Sequence, residues 1–245
     1  MGEYFGEDVA ARYDEDTEMF AEAVVGPTVD LLAELARGGR ALELAIGTGR
    51  IALPLSEREV PVVGIDASEA MVARLRAKPG ADRIEVAVGD MTTTRVEGRF
   101  RLVYLVFNTI NNLVTQDAQA ACFQNAADHL EEGGCFVIEV GIPDLQRLPP
   151  GQTAVPFTVE PDRLGFDTYD VVTQEMWSHH YRRGPSGIES ASIPFRYVWP
   201  SELDLMARLA GMQLRDRWAG WRREPFTRDS RSHVSVYEKI GASPR

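Results

Sequence analysis

Cysteine, histidine and cationic side chains are all scarce in this chain of 245 residues. Its two cysteines, Cys122 and Cys135, form no C-x-x-C pair and have no two histidines nearby, so we expect two small core side chains and no metal site. Lys and Arg number 26 against 37 Asp and Glu, which gives a formal net charge of -11. Because phosphate binding depends on clustered cations, this balance argues against a nucleic-acid partner.

Long apolar runs are also missing. No stretch approaches the roughly 20 apolar residues of a membrane-spanning helix, and the N-terminal segment is acidic where a signal peptide is basic and then apolar. We therefore expect a cytoplasmic protein with no membrane partner. Hydrophobic residues still make up 44% of the chain, which is enough for the core of one domain.

The most informative stretch is residues 40–56, RALELAIGTGRIALPLS. Its apolar start predicts a short buried strand, Gly47 and Gly49 predict a tight turn, and the residues that follow predict a helix. The glycines let the backbone approach a ligand, and the helix start offers N–H groups that suit a carboxylate, phosphate or ribose. The stretch also matches the dinucleotide pattern G-x-G-x-x-A. Glu43, inside the strand, favours instead a ligand with an ammonium group or hydroxyls.

Strand and helix patterns alternate from there on. The predicted strands are 41–46, 61–66, 83–90, 100–107, 135–140, 212–221 and 233–239. Alternation at this spacing predicts an α/β fold, with a doubly wound, mostly parallel, seven-stranded sheet.

Prolines and glycines become frequent over residues 142–199, where two stretches look like hairpin strands. We assign this segment as an inserted antiparallel β lid, whose edge strand offers a surface for a homodimer. Residues 1–39 form an N-terminal helical cap of two helices that separate at Gly26-Pro27. Residues 40–141 and 200–241 are expected to form the core that contains the glycine loop and binds its ligand.

Polar residues mark the ends of several predicted strands. Asp66 ends the second strand, Asp90 ends the third, and Asn108 follows the fourth. Ligands of open α/β sheets bind beyond the carboxyl ends of the strands, so these residues and Gly47 are expected to surround one ligand. Taken singly, each aspartate could instead be a helix cap or a turn residue.

With these motifs in place, the chain resembles the class I S-adenosylmethionine-dependent methyltransferases, and among them bacterial enzymes that modify amino sugars and antibiotics. The resemblance covers residues 8–240. It rests on an acid in the first strand ahead of a glycine-rich loop, on Asp66 and on Asp90. Ala45 stands where the family usually has the first glycine of the loop.

The resemblance implies that S-adenosylmethionine (SAM) is the cofactor and S-adenosylhomocysteine (SAH) its product. It also implies that Asp66 holds the ribose hydroxyls and that Asp90 reaches the adenine amino group, with Met91 beside the ring. The cofactor-binding residues expected on this basis are Glu43, Ala45, Gly47, Gly49, Asp66, Ala67, Met71, Asp90, Met91 and Phe107.

Two alternatives remain open at this point. One is a nicotinamide-dependent reductase of the short-chain type, although no tyrosine of this chain is followed four residues later by the lysine typical of that family. The other is a non-catalytic nucleoside-binding protein.

Methyl transfer from a sulfonium is an in-line displacement that needs alignment and no metal or redox group. The chain lacks the Asn/Asp-Pro-Pro-Tyr/Phe signature by which nucleic-acid and glutamine amino-methylating enzymes stack a planar group, which favours a small-molecule acceptor. We expect a secondary metabolite that is methylated on an amine, because aromatic side chains and an acidic surface attract a cation.

Four residues are candidates for the acceptor side of the site. They are Tyr13, Asn108, His179 and His180, with Glu139 as a further candidate. The structural alternatives are a packed side chain for Tyr13, a turn residue for Asn108, and a solvent-facing pair for His179 and His180. The lid is expected to fold over the carboxyl ends of the strands, with Phe107, Trp177 and Tyr181 as pocket walls and one histidine as base.

Overall fold

The computed structural model describes residues 6–14, 19–184 and 187–241. The helices are α1 Glu7–Tyr13, α2 Glu22–Ala36, α3 Ala52–Glu57, α4 Glu69–Arg76, α5 Gln116–His129 and α6 Pro200–Leu209. The strands are β1 Ala41–Leu44, β2 Val62–Asp66, β3 Glu85–Val88, β4 Phe100–Leu105, β5 Leu130–Gly141, β6 Ala154–Val159, β7 Arg163–Tyr169, β8 Glu175–Gly184, β9 Gly187–Arg196, β10 Met212–Trp218 and β11 Ser232–Lys239.

Seven strands form one sheet in the order β10-β11-β5-β4-β1-β2-β3. Strands β1 to β5 are parallel to one another, and β11 runs antiparallel to both β5 and β10. This order confirms the predicted doubly wound, mostly parallel sheet. Because β1 has β2 on one side and β4 on the other, the strand order reverses there, and a crevice opens at the carboxyl ends of these strands.

Helices cover both faces of the central strands, which explains their nearly continuous apolar sequences. α2 packs on one face of β4 and buries Val29, Leu32 and Leu35. α5 packs against β4 and β5 and buries Cys122 and Phe123. Full burial of such a Leu or Phe side chain contributes about 1.5–3 kcal/mol. Both cysteines are free and fully buried, which confirms their prediction as core residues.

α2 runs unbroken through Gly26-Pro27, so the predicted break at this position is wrong. A proline also clashes with the Cβ and N–H of the residue before it, and Gly26 has no Cβ. The glycine therefore reduces the steric cost of the proline, and the buried face of α2 continues past it.

Residues 142–199 contain a second, antiparallel sheet in the order β6-β7-β8-β9. The sequence indicated the strands β8 and β9 but not β6 and β7. Arg196, at the end of β9, is buried and donates to Glu202 Oε1 at 2.8 Å and to Gln174 Oε1 at 3.0 Å, which ties the sheet to α6. The homodimer expected through this sheet stays a prediction.

The helices of the described residues are all too short or too polar to cross a membrane.

Candidate active site

A cleft with about 630 Å³ of empty space, part of it open to solvent, lies at the carboxyl ends of β1 to β4. Its walls come from the glycine loop after β1, from the residues after β2 and β3, and from the turn after β4. The lining residues are Tyr13, Ala45, Gly47, Asp66, Ala67, Ser68, Met71, Gly89, Asp90, Met91, Thr109 and Asn112. The structure thus brings together most of the expected cofactor residues. Glu43, Gly49 and Phe107 are outside this lining set.

The glycine loop turns through three residues in the left-handed region. Ala45, Gly47 and Gly49 have φ values of 55°, 58° and 81°. Gly47 lines the cleft, so its lack of a side chain serves the close approach of a ligand. Gly49 has a packing role, because a Cβ there would lie 2.3 Å from Leu75 Cδ1 of α4. Ala45 adopts the left-handed conformation at a cost of about 1–2 kcal/mol.

Asp66 is held at the cleft by two backbone donors. The N–H of Gly47 donates to its Oδ2 at 2.6 Å, and the N–H of Ser68 donates to its Oδ1 at 2.8 Å. Burial raises the pKa of Asp66, and these two hydrogen bonds oppose that shift. A carboxylate offers about four lone-pair sites, so one site on each oxygen remains for a hydroxyl donor.

Asp90 forms a tight turn in which Oδ1 accepts from both the N–H and the Oγ1 of Thr92, at 2.7 and 2.6 Å. Its Oδ2 has no hydrogen-bond partner among the residues that the structure describes. Met91 beside it is buried and also lines the cleft. Asp90 therefore offers a free carboxylate oxygen next to an apolar wall.

Tyr13 is the last residue of α1 and reaches the cleft from the N-terminal side. Burial raises the pKa of its phenol, and the nearby guanidinium of Arg50 partly opposes this shift. The hydroxyl therefore stays protonated at neutral pH and can both donate and accept a hydrogen bond.

Glu43 lies beneath the glycine loop, where Tyr104 donates to its Oε2 at 2.9 Å. It is buried, and burial raises its pKa to about 8 despite the bond from Tyr104. At neutral pH this group is therefore mainly a neutral carboxylic acid. The strand buries the side chain of Glu43 beneath the loop, outside the lining of the cleft.

We expect Glu43→Gln to flatten the pH dependence of stability. The folded-state pKa of Glu43 lies above its ordinary value of 4.5, so the stability it contributes is fully present below pH 4.5. That stability is lost as the pH rises toward about 8, with a slope of up to about 1.4 kcal/mol per pH unit. Urea unfolding between pH 5 and pH 8 measures the slope. Glu57→Gln, at an exposed position, is the control, and an unchanged slope in Glu43→Gln would contradict the assigned pKa.

Asn108 and Glu139 hold a turn after β4, which is the structural alternative given for Asn108. Phe107 and Asn108 have φ values of 62° and 59°, and the N–H of Gly141 donates to Asn108 Oδ1. Glu139 accepts from the N–H of Phe107 at 2.9 Å and from Nε1 of Trp221 at 3.0 Å. These bonds fix two consecutive left-handed residues that would otherwise be unfavourable.

The same turn places two residues in the cleft that were not predicted from the sequence. Thr109 and Asn112 line it, and they belong to a 3-10 helix, Thr109–Asn112, that follows β4. Ser68 and Gly89 were missed as well. All four lie within a few residues of a predicted strand end, which is the signal that could have identified them.

His179 and His180 are outside the lining of this cleft. They lie on β8, an inner strand of the second sheet. His179 Nδ1 is 2.8 Å from Ser192 Oγ, and His180 Nε2 is 3.1 Å from Ser178 Oγ. Burial lowers the pKa of His180. Each histidine therefore hydrogen-bonds to a serine of its own sheet.

The three aromatic residues that were predicted as pocket walls also lie elsewhere. Phe107, Trp177 and Tyr181 do not line the cleft. Phe107 packs instead under the guanidinium of Arg50, whose carbon lies 3.9 Å from the ring centroid. Trp177 and Tyr181 project from the second sheet and are partly exposed.

Known proteins with related sequences share this architecture. Residues 41–134 match a family described as a methyltransferase domain. The chain is 34% identical to the CcbJ methyltransferase from Streptomyces caelestis, and the structures align with a TM-score of 0.84 over 97% of this chain and 98% of that chain. It is 26% identical over 205 residues to the cypemycin N-terminal methyltransferase of Streptomyces sp, covering 82% of this chain and 84% of that protein.

A third comparison concerns a structure with the cofactor bound. CalS10, an amino pentose methyltransferase from Micromonospora echinaspora, was solved with SAM. It has 22% sequence identity to this chain and a TM-score of 0.66, covering 88% of this chain and 90% of that chain. At this identity the comparison shows a shared fold.

Proposed function

This chain belongs to the class I S-adenosylmethionine-dependent methyltransferases, and on that premise we propose that it methylates an amine nitrogen of a small, natural-product-like molecule. SAM is the methyl donor. The observation that carries the proposal is the composition of the cleft. Carboxylates in the cleft can accept hydrogen bonds from the hydroxyls and the amino group of the cofactor. On the side where the methyl acceptor would bind, the described lining residues offer hydroxyl and amide groups but no histidine or lysine.

We assign SAM, the methyl donor, to the floor of the cleft. Asp66 has one free acceptor site on each carboxylate oxygen, which suits the two ribose hydroxyls. Asp90 Oδ2 is free to accept from the adenine amino group, and Met91 gives an apolar surface for the ring. Gly47 leaves room for the amino-acid part of the donor. The bound cofactor supplies a methyl group activated by a sulfonium.

The residues of the chain then act by holding the acceptor in line with that methyl group. Alignment of two reactants at near-attack distance can supply about 7–11 kcal/mol of the barrier reduction. The Thr109 hydroxyl donates to the carbonyl of Val106 at 2.7 Å, and the Asn112 amide nitrogen donates to the carbonyl of Thr109 at 3.2 Å. The oxygens of these two side chains, together with the Tyr13 hydroxyl, remain to accept a hydrogen bond from an amine substrate. Tyr13 also covers the cleft from the N-terminal side and helps to exclude water.

The absence of histidine and lysine from the described lining residues favours an amine over a hydroxyl acceptor. A hydroxyl nucleophile needs a base to remove its proton, whereas an amine exists in part as a neutral nucleophile near neutral pH. The net charge of -11 also favours the approach of a cationic amine. The cypemycin relative is, by its name, a methyltransferase that acts at an N terminus.

The proposal is tested with pairs of acceptors that differ only in the reacting atom. The enzyme is incubated with SAM carrying a deuterated methyl group, and with amino sugars or amino-acid esters alongside their hydroxyl isosteres. We expect SAH and N-methylated product from amines and neither from the isosteres. His180→Ala should keep turnover within about twofold, because His180 lies outside the cleft.

Three outcomes would contradict the proposal. Labelled O-methyl product alone would assign a hydroxyl acceptor. SAH binding without turnover on any acceptor would favour a nucleoside-binding protein without activity. A large loss of turnover in His180→Ala would indicate that the second sheet contributes to the active site.

A further inference from the structure

A closed ring of three polar contacts joins the glycine loop to the N-terminal segment. Thr48 lies at the tip of the loop, between the two glycines, and is buried. Its Oγ1 donates to Asp14 Oδ1 at 2.7 Å, and its carbonyl oxygen accepts from Lys78 Nζ at 2.8 Å. Lys78 Nζ also pairs with Asp14 Oδ2 at 2.8 Å. We call this ring of Asp14, Thr48 and Lys78 the clasp.

The clasp connects parts of the chain that are far apart in sequence. Asp14 follows Tyr13 directly, so its position constrains the side chain that covers the cleft. Lys78 follows the end of α4, and α1 packs against α4. Gly47, the neighbour of Thr48, lines the cleft. The clasp therefore holds the outer side of the same loop whose inner side lines the donor site.

The geometry distinguishes the clasp from an ordinary surface ion pair. The side chains of Lys78 and Asp14 are 25% and 33% exposed, whereas those of Arg58 and Asp30 in a nearby surface pair are 50% and 61% exposed. Lower exposure means weaker screening by solvent. The hydroxyl of Thr48 adds a charge-assisted hydrogen bond that the surface pair lacks in the described residues.

We propose that Asp14 is a positioning residue whose clasp holds Tyr13 over the bound donor and slows the release of SAM and SAH. The inference rests on the proposed role of Tyr13 as the cover of the cleft. Asp14 does not contact the reacting atoms in this proposal. It acts through Tyr13, which it follows directly in the chain.

The dissociation rate of SAH measures this role without any acceptor. In stopped-flow displacement we expect Asp14→Asn to raise the dissociation rate about tenfold or more, because the charge-assisted contact that holds Tyr13 over the bound SAH is lost. The association rate should change by less than about threefold. Thr48→Val and Lys78→Met should act in the same direction. Asp30→Asn, the matched change in the surface pair, should leave both rates unchanged.

A double-mutant cycle tests the route through Tyr13. If the clasp acts by placing Tyr13, Asp14→Asn should add little to the faster release in a Tyr13→Ala background, because coupled residues have non-additive effects. An unchanged dissociation rate in both Asp14→Asn and Lys78→Met would overturn the proposal. Fully additive effects in the cycle would also overturn it. Neither measurement uses a methyl acceptor. A failure of this proposal can therefore be distinguished from a failure of the proposed N-methylation.

Discussion

Asp66→Ala is expected to weaken SAH binding by about a hundredfold or more, through the loss of two hydrogen bonds. Each hydrogen bond from a ribose hydroxyl to this carboxylate is worth about 1.5–3 kcal/mol, because the acceptor is charged and mostly buried. Isothermal titration with SAH measures the loss. Asp66→Asn, which keeps one carbonyl oxygen and loses the charge, should fall between the wild type and Asp66→Ala.

The same substitution also affects the protein without ligand. Asp66 satisfies the backbone N–H groups of Gly47 and Ser68, so its removal should lower the free energy of unfolding by roughly 1–3 kcal/mol. Thr115→Ala is the control, since it removes the N-cap of α5 at a cost of about 1 kcal/mol, away from the cleft. The control should melt earlier and bind SAH normally. If Asp66→Ala also melted earlier and bound SAH normally, the role of Asp66 would be limited to holding the loop.

Tyr13→Phe is expected to lower kcat by about tenfold to a hundredfold and to leave the Kd for SAH within about twofold. The substitution keeps the ring that covers the cleft and removes only the hydroxyl that we assign to the acceptor, so the loss should fall on the transition state. Steady-state kinetics on an amine acceptor, together with titration of SAH, separates the two quantities.

The pH profile gives a second measurement on Tyr13. Burial raises the pKa of its phenol above the ordinary value of 10.0, so the wild-type rate should show no decline from tyrosine ionisation between pH 7 and pH 9. A kcat in Tyr13→Phe equal to that of the wild type would remove Tyr13 from the acceptor side of the site.

The sequence could predict the donor side of the cleft because that side depends on strand ends. Asp66 and Asp90 end neighbouring parallel strands, and the carboxyl ends of such strands meet at one edge of the sheet. Once the strands are recognised from their apolar runs, the meeting of these acids follows from topology alone. Gly47 joins them because its loop begins at the same edge.

The acceptor side could not be predicted in this way. Alternation along β8 indicates which residues share a face with His180, but nothing in the strand says which part of the molecule that face meets. The second sheet turns His180 toward Ser178 and Phe157 instead of toward the cleft. Docking of one sheet against another is decided by tertiary packing, which no local pattern records.

Glu43 and Asp14 illustrate two further limits. A glutamate in a sequence is assumed to be charged, and only the fold reveals that the surrounding core buries it and raises its pKa, against the opposing hydrogen bond from Tyr104. The contact of Asp14 with Thr48 joins residues 34 positions apart. Such a contact depends on where α1 packs, and the sequence of α1 does not contain that information.

A crystal structure of the protein with SAH bound would test the central claim most directly. We predict that SAH occupies the cleft at the carboxyl ends of β1 to β4, with both ribose hydroxyls within hydrogen-bonding distance of the Asp66 carboxylate and the adenine amino group facing Asp90. The sulfur should lie beneath Tyr13. SAH bound elsewhere, or in this cleft with its ribose away from Asp66, would contradict the account.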